Sequence, residues 1–220
     1  MLSKKEQKLL KLFGSGFKED ARLGQINFKN FQLSCRTFVD ATLQQFSDEF
    51  LFRNSKLKML YSVESPVDKE HLFAEVLTTI SKVQFNIKRL DPGIKAAFDI
   101  LTPAILLSEK LPLYDLVKTL YHELCHAYLD ILKSQNVNLC HISIVLYDQL
   151  KDFILEDRLI ETIKQDFEKV KRNGPPQYAA SRNHCLTFIL KSYNLDIYLD
   201  RPLGHVLAYQ KHYTKNSVST

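Results

Sequence analysis

The sequence predicts a mixed α+β domain followed by a small basic C-terminal part, and three observations lead there. Apolar residues recur at three- and four-residue steps in two long stretches, short β-type runs lie between them, and 45% of the 220 residues are hydrophobic. That composition excludes a disordered tail or a collagen-like rod. A chain of this length buries roughly 70% of its unfolded surface, so it holds a core without disulfides or structural metal. The four cysteines, Cys35, Cys125, Cys140 and Cys185, form no C-x-x-C pair. Reduced thiols inside a cell suit them better than a secreted disulfide scaffold.

Residues 1–33 read as a basic N-terminal extension. The opening MLSKKEQKLLKLFG mixes lysines with leucines, never reaching the apolar run of a signal peptide, and predicts a short solvated helix. No stretch approaches the ~20 apolar residues that span a bilayer, so no membrane partner is expected. Residues 34–53 place Phe38, Val39, Leu43, Phe46 and Phe50 on one side of an amphipathic helix, with the aromatics assigned to the core. The runs KMLYSV (58–63) and AAFDIL (96–101) read as short strands, the second stopped at Thr102-Pro103, and 69–82 has helical character. Asp115 is the expected N-cap of a helix running to about 133, with Leu116, Val117, Leu120, Tyr121, Leu124, Tyr128, Ile131 and Leu132 on its buried side. A further helix is expected over 147–172, ended by Asn173-Gly174-Pro175-Pro176.

The net charge of +5 is unevenly spread. Residues 1–30 hold seven Lys/Arg against three Asp/Glu, residues 31–168 hold 15 against 20, and residues 169–220 hold eight against two, with His184, His205 and His212 besides. The basic excess sits on the two flanks, where phosphate contacts with a polyanion such as nucleic acid are to be expected if one binds. Solvated basic surface is the plainer explanation of the same count.

The chemistry is concentrated in the helix that follows Asp115, which contains His122-Glu123-Leu124-Cys125-His126, an H-E-x-x-H pattern. Histidines four apart share one helical face, so both imidazoles reach one Zn²⁺, while the intervening glutamate is placed to take a proton from a zinc-activated water. Catalytic zinc takes three protein ligands. His141, past the polar KSQNVN loop, is one candidate for the third, and Glu156, centred on the apolar arc of Phe153, Ile160, Ile163 and Phe167, is another. Asp130, one turn beyond His126, is a poorer one.

The run DLVKTLYHELCHAYL (115–129) resembles the zinc helix of the SprT-like, or Spartan-like, zinc metalloproteases, where D-L-V-x-T-L-x-H-E-x-x-H-A-Y-L recurs. Weaker likenesses accompany it. The stretch ILTPAIL (100–106) resembles the edge strand and leucines ahead of the zinc helix, LQQFSDEF (43–50) resembles the first helix, and NGPPQ (173–177) resembles the start of the C-terminal zinc-binding subdomain. The resemblance implies a zincin-like domain over 34–172, with a small antiparallel-type sheet packed on helices. It implies His122, His126 and His141 as zinc ligands and Glu123 as general base. It also implies a DNA-stimulated protease that cleaves proteins bound or crosslinked to DNA. The family's third histidine sits between glycines, whereas Cys140 and Ile142 flank His141 here. The cysteines of the family's zinc-binding subdomain are absent, so 173–220 is expected as a degenerate zinc-ribbon-like segment without metal.

Lys169, Lys171, Arg172 and Arg182 are the expected DNA contacts, with single-stranded or junction-containing DNA and protein substrates as partners. The expected location is nuclear in a eukaryote, cytoplasmic otherwise, and not secreted. Two alternatives stand beside this reading: a catalytically silent DNA-binding or scaffold protein of the same fold, and a generic intracellular zinc peptidase using Glu156.

Overall fold

The computed structural model describes residues 1–14, 22–46, 69–135, 139–150 and 184–207. Among them are six helices and one three-stranded sheet, in the order α1 (Lys4–Leu10), α2 (Phe28–Thr42), α3 (Lys69–Ser81), β1 (Gln84–Lys88), β2 (Ala96–Asp99), β3 (Ala104–Ser108), α4 (Leu113–Ser134), α5 (Leu139–Leu150) and α6 (Leu186–Tyr198). The expected run 58–63, Phe50, Glu156, the helix beyond 150, the 173–177 segment and the four expected DNA contacts lie outside the described residues.

At the N-terminus, Ser3 and Glu6 form a capping box, and α1 turns Leu9, Leu10 and the following Phe13 into the core. The expected solvated helix is therefore docked along one face. Helix α2 begins earlier than the phenylalanine spacing suggested, because the Asn27 side chain accepts the Lys29 amide at 3.0 Å and caps it. Phe38, Val39 and Phe46 are buried as expected, with Leu43–Phe46 continuing the helix as a 3₁₀ turn. Helix α3 bears out the helical reading of 69–82.

The sheet has the order β1-β3-β2, with β1 parallel and β2 antiparallel to β3. This corrects the expected antiparallel-type sheet and also the assignment of 100–106. The strand ends at Asp99, whose carboxylate accepts the Leu101 amide at 3.0 Å and the Thr102 hydroxyl at 2.7 Å, so 100–103 form a turn. Leucines 106 and 107 then belong to β3, the central strand, whose residues Ala104, Ile105 and Leu107 are buried.

Helix α4 carries the eight expected apolar residues on its buried side. Its N-cap is Pro112, not Asp115. Asp115 sits inside the first turn, buried, and pairs with Lys95 at 2.7 Å and with Lys118 one turn on. Burial pushes its carboxyl up, but the two lysines outweigh that and hold it below the ordinary aspartate range. The polar loop after α4 is shorter than the sequence suggested, since α5 already begins at Leu139 and takes His141 into its first turn.

Helix α6 completes the core by packing on α4 and α5. Phe188, Leu190, Tyr193, Leu195 and Leu199 are buried with the residues of α1, α2 and α4, and Ser143 of α5 meets the Thr187 hydroxyl at 2.8 Å. Two of the C-terminal cations are used internally. Lys191 is fully buried beside the rings of Phe46 and Tyr128 and donates to the Gln45 carbonyl, and Arg201 pairs with Glu6 at 3.2 Å.

Candidate metal centre

Helix α4 projects His122 and His126 from one face, one turn apart, with ring centroids 5.1 Å from each other. The third imidazole comes from His184, just ahead of α6, at 4.9 Å from His122 and 5.2 Å from His126. One potential ligand atom from each of the three lies within 4.8 Å of the other two, the grouping a metal ion takes. Asp130 is not a member of this group, and the side chain of His141 is outside the described residues.

The rings are oriented by what lies around them. His122 Nδ1 is 3.0 Å from the Val206 carbonyl; a carbonyl only accepts, so Nδ1 carries the proton and Nε2 is left with its lone pair for a metal. Phe188 underlies all three imidazoles, stacked on His184 at 4.0 Å and set 4.6 Å from His126 and 5.1 Å from His122.

Burial in this apolar setting disfavours protonated imidazole. Burial lowers the pKa of His122 against the Val206 carbonyl, and it lowers His126 to about 3, helped by His122, His184 and Lys133. It lowers His184 to about 4, helped by His122. All three are neutral at physiological pH, which is the state that binds a metal. Glu123 stands apart from the histidine group and is 5% exposed; burial raises its carboxyl to about 8, against a hydrogen bond from the Phe98 amide of β2.

His122 and Glu123 open into a groove of about 340 Å³ lined also by Gly93, Ile94, Lys95, Ala96, Lys118 and Thr119. Strand β2 borders it, and β2 pairs only with β3 among the described residues. The structure thus brings together His122, Glu123 and His126 as the sequence motif implied, and adds His184, Phe188 and Val206. None of these three has a fixed spacing from the motif. His184 stood out only as one of three histidines in the basic C-terminal stretch, and no pattern in the sequence tied it to α4. Compared with protein-family models, with curated proteins and with solved structures, the chain matches none.

Proposed function

We propose that this chain is a zinc-dependent peptidase in which His122, His126 and His184 hold the metal and Glu123 is the general base. The observation that carries the reading is the convergence of three neutral, half-buried imidazoles on a helix that also bears the buried Glu123 carboxyl, next to a strand edge that pairs with nothing further among the described residues. The donor set fits zinc, which takes imidazole nitrogen readily and leaves a position open when three side chains bind it. Bound there, zinc would supply a Lewis acid that activates water and polarises a peptide carbonyl.

The protein's own groups do the rest. Glu123 Oε, once ionised, takes the proton of the attacking water and delivers it to the departing amine. Burial alone raises its carboxyl to about 8, which keeps it mostly protonated at neutral pH, and a cation held by the neighbouring histidines would favour the carboxylate. An extended peptide adds to the edge of β2 that is unpaired among the described residues, which lays its backbone along the groove. Phe188 and the surrounding core keep bulk water from the imidazoles.

The substrates we propose are proteins bound or crosslinked to DNA. The H-E-x-x-H resemblance supports this, as does the charge distribution. The start of the chain meets the 200–201 turn of the C-terminal stretch, where Arg201 donates to the Met1 carbonyl at 2.7 Å and Lys5 pairs with Asp200 at 3.4 Å. Lys4, Lys8 and Lys11, in and just after α1, are exposed. The test is zinc content together with casein cleavage, with and without single-stranded DNA. Wild-type protein should bind zinc and cleave, faster with DNA; Glu123→Gln should keep the zinc and lose cleavage. Charge reversal at Lys171 and Arg172 should weaken the salt-dependent DNA affinity and the stimulation together. Cleavage without DNA stimulation would leave a generic peptidase, and DNA binding without cleavage a silent scaffold.

A further inference from the structure

We propose that Asp196 is a positioning residue for the metal ligand His122, acting through the turn that carries the Val206 carbonyl and braced from outside by Glu6. The inference rests on the reading of His122 as a ligand. Asp196 lies near the end of α6 with no exposed surface, where an unpartnered carboxylate would be strongly unfavourable. Both of its oxygens are occupied by one short stretch of backbone. Oδ2 accepts the amides of Gly204 at 2.7 Å and His205 at 3.2 Å, and Oδ1 accepts the amide of Val206 at 2.8 Å.

Three successive amides converge on one carboxylate because the chain takes a left-handed step at Gly204, φ +91°. With its N–H fixed on Asp196, Val206 presents its carbonyl to His122 Nδ1 at 3.0 Å. The same turn is held from the other side, where His205 Nε2 lies 2.7 Å from Glu6 Oε1. Glu6 is 1% exposed, and its other oxygen accepts the Ser3 amide and pairs with Arg201. A continuous path of bonds therefore runs from the first helix through the 203–207 turn to the ring of His122. Partners of this kind fix a ligand's tautomer and ring angle, and their loss lowers metal affinity by roughly 10- to 100-fold.

The experiment uses the full chain, with zinc affinity read by chelator competition and ligand geometry by the visible spectrum of the cobalt(II)-substituted protein. Asp196→Asn replaces an accepting oxygen by an amide that faces N–H donors. Gly204→Ala loosens the same turn through backbone strain alone, since an added Cβ there meets nothing within 4 Å. Both should lower zinc affinity at least tenfold and change the cobalt spectrum. Phe31→Leu, in the core around Phe13 and at a comparable loss of Tm, should change neither. If Asp196→Asn does not fold, Gly204→Ala decides alone. A folded variant with wild-type zinc affinity and cobalt spectrum overturns the positioning role while leaving the metal centre intact. Wild-type protein that takes up neither metal overturns both.

Discussion

Phe188 is the side chain on which the three imidazoles rest, and its replacement tests whether that platform matters. It is fully buried, so Phe188→Ala should cost about 3–5 kcal/mol of stability through lost burial and the cavity left behind. With the ring gone, His184 loses its stacking partner at 4.0 Å and zinc should bind more weakly as well. Urea unfolding of the metal-free protein gives the first quantity and chelator competition the second; a loss of stability with unaltered zinc affinity would make Phe188 a core residue only. Glu123 shows how burial and a hydrogen bond oppose each other at one carboxyl: enclosure raises it to about 8 against the Phe98 amide, so the base role proposed for it depends on a nearby cation favouring its ionised form.

Among the elements, α4 was legible in the sequence because its apolar residues repeat at helical spacing over many turns and its two histidines share a face. Its start was not legible. Asp115 has the chemistry of an N-cap, but two lysines compensate it inside the first turn, one of them from the residues just before β2. The strands were harder still. A buried run such as AILLS has no alternation to mark it, and β3, buried between two neighbours, reads from sequence as a leucine-rich continuation of the turn before it. Helix α6 escaped notice for a related reason. It is buried on most sides, enclosed by α4 and α5, and its buried positions include Thr187, Lys191, Ser192 and Asp196, so no clean apolar stripe sets off its period. With α6 unseen, His184, two residues ahead of it, had no reason to be placed against His122 and His126. The site was half legible: the part on one helix was plain, and the part supplied by long-range packing was not.

For the whole molecule, the buried titratable groups set a pH dependence in the metal-free state. The imidazoles of His122, His126 and His184 have pKa values below the ordinary 6.5, so the stability they contribute is present above pH 6.5 and lost as pH falls from there toward 4 and 3. Glu123, raised to about 8, and Asp196, raised by burial to about 7, act oppositely; their contribution fades as pH rises through those values and returns on acidification. Between pH 6.5 and 4.5 three imidazoles oppose two carboxyls. The imidazoles outnumber these two carboxyls, so stability declines on acidification, with the partly exposed His184 giving less than its share. Urea unfolding in EDTA across that range should show this decline, and Glu123→Gln should steepen it by removing one opposing group; stability that is level or rises on acidification would contradict the balance.

At the same scale, the account depends on distant parts of the chain meeting at one ion, with two ligands from α4 and a third from His184, two residues ahead of α6. The most direct measurement is zinc affinity by chelator competition for His184→Ala beside His141→Ala. The account predicts that His184→Ala loses zinc by orders of magnitude, as His122→Ala and His126→Ala would, while His141→Ala binds it nearly as the parent protein does. Tight zinc binding in His184→Ala, with loss in His141→Ala, would contradict it and return the third ligand to the start of α5.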